Sequence, residues 1–394
     1  MVTALPDLGD ETYYAANDPT PLWRELVARD AVVWSEPSAT HNGFWSVFSH
    51  ELCSTVLSEK APFTSEYGMF IGFDTERPDT GGGRMIVVSE GEQHALLRRV
   101  MGTFITRLVS GPLAGYVHAN VDDMLAALVA EPGRDVAGEL ACWLPNAVVC
   151  ELLGVPAEDR ERLRRLTYFA VGAPEEGAPM TASGAHTRIM LYFAELAARR
   201  RRHPQDDMLS HLIHDCGMSD EDVLLNCDNL FNASNATTPI SLAAVFHVLA
   251  TVPGLLERLR GDASAVRDAT EELLRWSTPG PHLLRIATQD TTLGGQHIAK
   301  GSPVVAWVSA GNRDPRVFDR PDEFRLGRRP NRHLSFGHGL HYCIGAVLAR
   351  LEIRLLLGAL GERARSLTLT EPPVRRFTTK LSGYRRLTVD IDWR

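Results

Sequence analysis

Leu334-Ser335-Phe336-Gly337-His338-Gly339-Leu340-His341-Tyr342-Cys343-Ile344-Gly345 reads as a glycine-rich turn that brings one cysteine to the mouth of a helix, expected from Cys343 to about Leu360. A sulfur there meets unpaired backbone N–H groups and the positive end of the helix dipole. Such placement lowers a thiol pKa from about 8.5 into the range of roughly 3.5 to 7.5. Gly337 and Gly339 let the backbone turn sharply and approach something flat, and Gly345 does the same for the first helical turn. Phe336 can shield the sulfur from water. Two other accounts of the stretch stay open: a structural cysteine in a tight turn, or a zinc site closed by His333, His338, His341 and Cys343.

Neither account explains three features upstream. His94 and Arg98 stand one helical turn apart on the same face. Glu272 and Arg275 form an i, i+3 pair whose apolar flanks place it in the interior, where losing one partner costs roughly 3–5 kcal/mol. Arg285 sits inside the strand-like run Leu284-Arg285-Ile286-Ala287, and a buried anion would account for it.

Outward from these points the chain reads as mainly α with a small β portion. Thr20-Pro21 is expected to open a first helix. The runs 31–35 and 43–48 read as a hairpin. The segment 61–92 is irregular, yet it carries Phe63, Met69, Phe70, Ile71 and Phe73, which points to function. Helical periodicity dominates from Glu92 to about Trp276. Ser219-Asp220-Glu221-Asp222 is a capping box that starts a long helix through about Ala250. Arg199 to Arg202 reads as a solvated helix end. Short strands are expected at 291–298 and 304–308, and the tail 367–393 alternates like a strand pair. One unit spanning 1–394 is expected, β-rich near 31–48, 281–308 and 367–393 and helical over 92–278 and 343–360.

Composition narrows the function classes. There are 41 basic and 49 acidic residues, a formal charge of −8, which argues against nucleic-acid binding. Residues 1–20 hold four acids and no apolar run, and no later run approaches the length of a membrane span, so a cytoplasmic protein is expected. Of the cysteines, Cys53, Cys142, Cys150, Cys216 and Cys227 show no CxxC spacing and read as small hydrophobes.

The same residues, in this order, resemble the cytochrome P-450 family over nearly the whole chain. The cysteine loop matches that family's Phe-Gly-x-Gly-x-His-x-Cys-x-Gly signature without a gap, and Glu272 to Arg275 matches its Glu-x-x-Arg motif. The resemblance implies haem b (iron protoporphyrin IX), with Cys343 as axial ligand to the iron. Phe336, Gly337 and Gly345 would shape the loop, and His94, Arg98, Arg285 and His341 would bind the propionates. Glu272 and Arg275 would be structural. The family's third member of that ion network lies in a Pro-Asp-Arg-Phe stretch. Here Pro321-Asp322-Glu323-Phe324 carries glutamate, which leaves Arg325 or Arg328 to substitute.

The implied activity is a monooxygenase that activates dioxygen and oxidises a small molecule, such as a peptide or polyketide intermediate, free or carrier-bound. The family's distal acid–threonine pair corresponds to Ala236-Thr237. Alanine cannot relay a proton, so Thr237 would position the oxygen while Asn235, Ser234, water or the substrate supplies the protons. Pro239 leaves the Asn235 carbonyl without its helical partner. The departure keeps coupling, cyclisation, nitration and peroxide-driven oxidation open. A haem sensor that never turns over is the reading from another class. Substrate-facing positions would include Met69, Phe70, Phe73, Ala233, His282, Leu283, Leu284 and Ser382. With no flavin or iron–sulfur motif of its own, a monomer taking electrons from NAD(P)H through a ferredoxin reductase and ferredoxin is expected. Arg98, Arg99, Arg328, Arg329, Arg332, Arg350 and Arg354 would form a basic docking patch.

Overall fold

The computed structural model describes residues 5–72, 76–171 and 179–394. Phe73, expected to face the substrate, lies outside the described residues. The chain opens with α1 (Glu11–Ala16), capped by Asp10, and α2 (Thr20–Ala28). The expected first helix is thus the second. Thr20 is its first residue, with its N–H held by Asp18 at 2.9 Å, and Pro19 occupies the capping position. The hairpin follows as β1 (Val32–Ser35) and β2 (Phe44–Val47), with Val33 opposite Ser46. After α3 (His50–Val56) and β3 (Phe63–Thr64) the described residues are irregular up to Glu90 apart from one short 3-10 turn, Ile86–Val88.

The helical body comprises α4 (Gly91–Val109), α5 (Pro112–Ala130), α6 (Trp143–Leu153), α7 (Ala157–Val171), α8 (Ala182–Arg202) and the single turn α9 (Met208–Ser210). Then come α10 (Asp220–Thr251), α11 (Leu255–Leu259) and α12 (Ala263–Ser277). The capping box works as its sequence implies. Ser219 accepts the Asp222 N–H at 3.2 Å, and three acids stand in the first turn of α10. Helices α4, α5, α6, α8, α10, α12 and α14 (Ala346–Arg363) share one apolar core in which Val117, Phe193, Phe246 and Leu357 are fully buried.

The arginine run ending α8 departs from a solvated end. Arg200 is buried and ion-paired to Asp207 at 2.5 Å, because the loop around Gly154 folds over it and accepts a second bond at 2.6 Å. The absence of a span-like stretch also needs correcting. Val136–Leu153 is apolar enough by composition, but 67% of it is buried among the other helices.

Strands β4 (Leu283–Ala287), β5 (Thr291–Leu293), β6 (Gln296–Ile298) and β7 (Pro303–Ala306) precede α13 (Val308–Gly311). The five-stranded sheet runs β1-β2-β7-β4-β3, with β2 and β7 parallel and the other pairs antiparallel. The tail holds two pairs where one was expected: β8 (Ala364–Leu369) with β11 (Val389–Trp393), and β9 (Val374–Phe377) with β10 (Ser382–Arg386). The sheet presents β4 to the cysteine loop, and the helical body presents α10. Between them lies the site.

Candidate active site

The cysteine loop closes on itself through the Cys343 N–H, which donates to the Phe336 carbonyl at 2.8 Å. Gly337 and Gly339 take φ of +73° and +71°, and a Cβ on Gly339 would stand 2.5 Å from the Leu57 carbonyl oxygen. Only glycine suits that position. Helix α14 starts at Ala346, so Cys343 stands three residues ahead of it. The N–H groups of Gly345 and Ala346 bond toward the sulfur, and Arg98 and Arg350 contribute positive charge. Burial nevertheless outweighs these and pushes the thiol up, opposite to the direction expected from a helix mouth. Enclosing protein penalises an unpaired thiolate more than two N–H groups favour it; a bound cation reverses that balance. Cys343 is itself exposed.

Beside the loop, the β4 alternation sends Leu283 and Arg285 to one face and Leu284 and Ile286 to the other. Arg285 is 5% exposed, and among the described residues its side chain bonds only to the Leu284 carbonyl, at 2.8 Å. Burial holds its guanidinium down at about 10. Arg98, on α4, donates to the Tyr342 carbonyl at 2.5 Å, and neither arginine meets a carboxylate at ion-pair distance among the described residues. His94 is buried, with its ring 4.3 Å from that of His341. Burial, then the charges of His341, Arg98 and Arg285, pull His94 down to about 4. Glu90 went unnoticed in the sequence: it accepts from the Ser65 N–H at 2.8 Å and pairs with His341 Nε2 at 3.2 Å. Burial opposes its ionisation, but those bonds and the His341 charge hold it down at about 2.

The histidines do not gather around the sulfur. His341 turns to Glu90 and His333 to Glu271, and no metal-holding group of three His, Cys, Asp or Glu side chains occurs among the described residues. The zinc account therefore falls. An exposed thiol flanked by two buried or half-buried guanidiniums without carboxylates fits a flat iron porphyrin with two propionates.

Beneath the loop, Glu272 and Arg275 are wholly buried and paired at 2.8 Å. Arg328 is the third member, with its Nε 3.0 Å from both Glu272 oxygens, whereas Arg325 gives only its backbone N–H, at 2.8 Å. The departure at Glu323 costs nothing, since its carbonyl rather than its side chain accepts from Arg275, at 3.0 Å. Asn312 relays the network to the loop. Its carbonyl accepts the Arg275 Nη1 proton at 2.9 Å, while its side chain takes the Leu334 N–H at 2.7 Å and reaches Thr278 and Ser335. A second brace, also unread in the sequence, is Glu271. It holds Arg350 in a two-pronged pair at 2.7 and 2.9 Å, and Arg350 caps the Phe336 ring at 4.6 Å. Arg328 and Arg350 thus serve structure, and Arg329 pairs with Asp268. Arg99 and Arg332 remain exposed.

On α10, Ala233 is exposed and Ala236 and Thr237 are half-exposed. Thr237 Oγ1 donates to the Ala233 carbonyl at 3.2 Å and the Asn235 amide to the Phe231 carbonyl at 2.9 Å, while the Ser234 side chain makes no hydrogen bond among the described residues. Met69 and Phe70 are half-buried beside β4, and the Met69 carbonyl accepts the Leu284 N–H at 2.8 Å. The Leu284 side chain packs in the core with Trp23 and Trp307. His282, also considered substrate-facing, has both nitrogens engaged. Its Nε2 accepts the Ile71 N–H at 3.0 Å, which leaves Nδ1 to donate to the Thr379 carbonyl at 2.5 Å. It ties the 69–71 loop to the β9–β10 hairpin, and burial keeps it neutral, down at about 3. Ser382 lines a cleft together with Ile240, Trp276 and Tyr384.

Comparison with known proteins agrees with this geometry. The Cytochrome P450 family description matches residues 181–371. Cytochrome P450 NovI of Streptomyces niveus is 31% identical over 360 residues, 90% of this chain and 88% of that one. The solved structure of P450 OxyD, involved in the biosynthesis of vancomycin-type antibiotics, is 46% identical with a TM-score of 0.93, covering 98% of this chain and 100% of that one. P450BioI, solved with a hexadec-9Z-enoic acid ligated acyl carrier protein, gives 27% identity and a TM-score of 0.84 over 95% of this chain and 99% of that one. The thiol loop, the buried guanidiniums and the Glu-x-x-Arg network thus sit in a shared fold, and the chain belongs to the cytochrome P450 family as a cytochrome P450 monooxygenase.

Proposed function

We propose that this monooxygenase oxidises a natural-product intermediate of peptide or polyketide type while it is held on a carrier protein. The likeness to OxyD and NovI supports the substrate class, and the carrier-bound complex of P450BioI supports the mode of presentation. The observation that carries the haem chemistry on which this reading rests is the exposed Cys343 between Arg98 and Arg285, neither of which meets a carboxylate at ion-pair distance among the described residues.

Haem b, when bound, supplies the activation of dioxygen with two electrons from NAD(P)H, delivered by a ferredoxin and its reductase. Cys343 Sγ would hold its iron. Arg98, Arg285, His94 and His341 would take the propionates by charge-assisted hydrogen bonds, typically about twice as strong as neutral ones. Glu90 fixes the His341 ring, and Arg350 over Phe336 keeps water from the sulfur. On the opposite side the Thr237 proton is committed to Ala233, so its oxygen remains an acceptor. Asn235 donates to the backbone, which leaves the Ser234 hydroxyl, water or the substrate to deliver protons in place of the acid absent at Ala236.

A second reading rests on that alanine. Oxidative coupling, cyclisation, nitration or peroxide-driven oxidation tolerates a weak proton route. Turnover with hydrogen peroxide and no reductase would favour it. For the main reading, aminoacyl and acyl thioesters on a carrier protein should each shift the haem spectrum more strongly than their free acids; preference for the acids overturns the carrier assignment. Product formed per electron should fall in Thr237→Ala, and unchanged coupling removes Thr237 from the mechanism.

A further inference from the structure

Between α9 and α10 the chain makes one π-helical turn, His211–Asp215, which closes as the Cys216 N–H bonds to the His211 carbonyl at 3.2 Å. An α-helix would carry the fifth residue onward about 140° round the axis from the first. Closing the turn from residue i to i+5 brings it back over the first instead, so that i+4 and i+5 both flank it. His211 accordingly has a partner on each ring nitrogen. Nδ1 stands 2.7 Å from the Asp215 carboxylate, and Nε2 stands 3.7 Å from Cys216 Sγ. An ionised carboxylate only accepts, so it fixes the ring proton on Nδ1 and leaves the Nε2 lone pair turned to the thiol.

The ring is held in that pose from α4. Phe104 stacks on it at 4.8 Å and 26°, and Arg107, over the same Phe104 ring at 4.7 Å, is tied to Asp206 at 2.5 Å. His214, the other histidine of the turn, meets the Arg200 carbonyl at 3.0 Å instead. Nucleophile, base and orienting acid thus stand in the order that activates a thiol. Cys53, Cys150 and Cys227 are buried, as small hydrophobes should be, whereas Cys216 is half-buried and partnered. Burial, then the Asp215 charge, push its thiol up, so at neutral pH the sulfur rests protonated and needs a base when it attacks. Cys142, also half-buried, is the contrast. Its sulfur meets the Glu139 carbonyl at 3.3 Å and Arg164 Nη1 at 3.6 Å, and no histidine bonds to it among the described residues.

We propose that Cys216 is a modification site that takes a low-molecular-weight disulfide. Its proton passes to His211 Nε2 as Sγ attacks one sulfur of the reagent. The S–S bond of the reagent breaks, a mixed disulfide forms on Cys216, and the leaving thiolate collects the proton from His211. One thiol is consumed and one is released, so the reagent disulfide is the only oxidant required. The adduct stands at the entry to α10, just ahead of its Ser219 cap.

The probe is 4,4′-dithiodipyridine, added to the haem-loaded enzyme, in which Cys343 is held out of the reaction. Intact mass follows the adduct and peptide mass spectrometry places it. At pH 7 Cys216 should react at least tenfold faster than Cys142. In a Cys142→Ser background, His211→Phe, which keeps a flat ring against Phe104, should slow Cys216 at least tenfold. That gap should narrow as the pH is raised toward 10, where the thiolate forms without a base. The reduced carbon monoxide spectrum of unreacted samples verifies the fold, and His211→Gln takes the place of any His211→Phe protein that fails it. Preference for Cys142, an equal rate in the folded His211 variant, or a gap that stays constant with pH, the mark of altered access and not of a lost base, overturns the proposal.

Discussion

Replacing Glu272 by glutamine keeps the volume and removes one charge from between two buried guanidiniums. The wild-type carboxylate accepts from Arg275 at 2.8 and 2.9 Å, from Arg328 at 3.0 Å, from the Arg325 N–H at 2.8 Å and from Asn331 at 3.2 Å. Arg275, Glu272 and Arg328 are 0%, 0% and 8% exposed, so water cannot take over. Removing one partner of a buried pair costs roughly 3–5 kcal/mol, and here two cations lose the same partner, so the upper end applies. With an unfolding entropy of roughly 2.1 cal/mol/K per residue, such a loss lowers the melting temperature of this chain by about 5–6 °C. The strain also has an address. Asn312 hands the network to Leu334 and Ser335, so the thiol loop should loosen before the helical body does. Urea unfolding followed by far-ultraviolet dichroism would give the stability change. The reduced carbon monoxide spectrum of the same samples reports the loop, because thiolate ligation moves the main band to long wavelength. A loss below about 1 kcal/mol, the range of exposed pairs, with the long-wavelength band intact in Glu272→Gln, would refute the claim that this network holds the ligand loop.

Cys343→Ser should abolish both the long-wavelength band and turnover; survival of both would remove the thiolate from the account. Arg285→Leu deletes a buried cation that meets no carboxylate at ion-pair distance among the described residues, so the apoprotein should gain stability while haem escapes to a scavenging apoprotein at least tenfold faster; unchanged haem retention contradicts the propionate assignment. Glu352 is wholly buried on α14, both its oxygens lack a hydrogen-bond partner among the described residues, and burial pushes it up to about 8. Between an unfolded value near 4.5 and about 8, the folded chain keeps a proton that the unfolded chain releases, so stability falls as pH rises through that window, by roughly 1.4 kcal/mol per unit. Glu352→Gln should flatten that slope in urea unfolding at pH 5.5 and 7.5, and an unaltered slope would mean that Glu352 is solvated.

What could be read in the sequence was what the backbone encodes locally. Gly337 and Gly339 specify a turn by their conformation, the Ser219 box caps its own helix, and Glu272 and Arg275 meet because a helix places i and i+3 together. The third cation was undecidable between Arg325 and Arg328, since either lies more than fifty residues from Glu272 and only the path of the meander chooses. Glu90 was missed for the same reason: its value comes from Ser65 and His341, which reach it from distant segments. The direction of the Cys343 shift was misjudged because helix-mouth reasoning counts local dipoles, whereas the surrounding protein mass sets the penalty. The facing of Leu284 was legible after all. Once Arg285 is granted a position toward the anion, strand alternation sends its neighbour into the core.

The reach of Asn312 bears on protein engineering. One amide touches the end of α12 through Thr278, the cysteine turn through Leu334 and Ser335, and, by its carbonyl, Arg275. A transplant of residues 334–345 into another scaffold would therefore carry the letters of the ligand turn without the bolt that shapes it. Any chimera should inherit Thr278 and Asn312 with the turn, or its sulfur will wander.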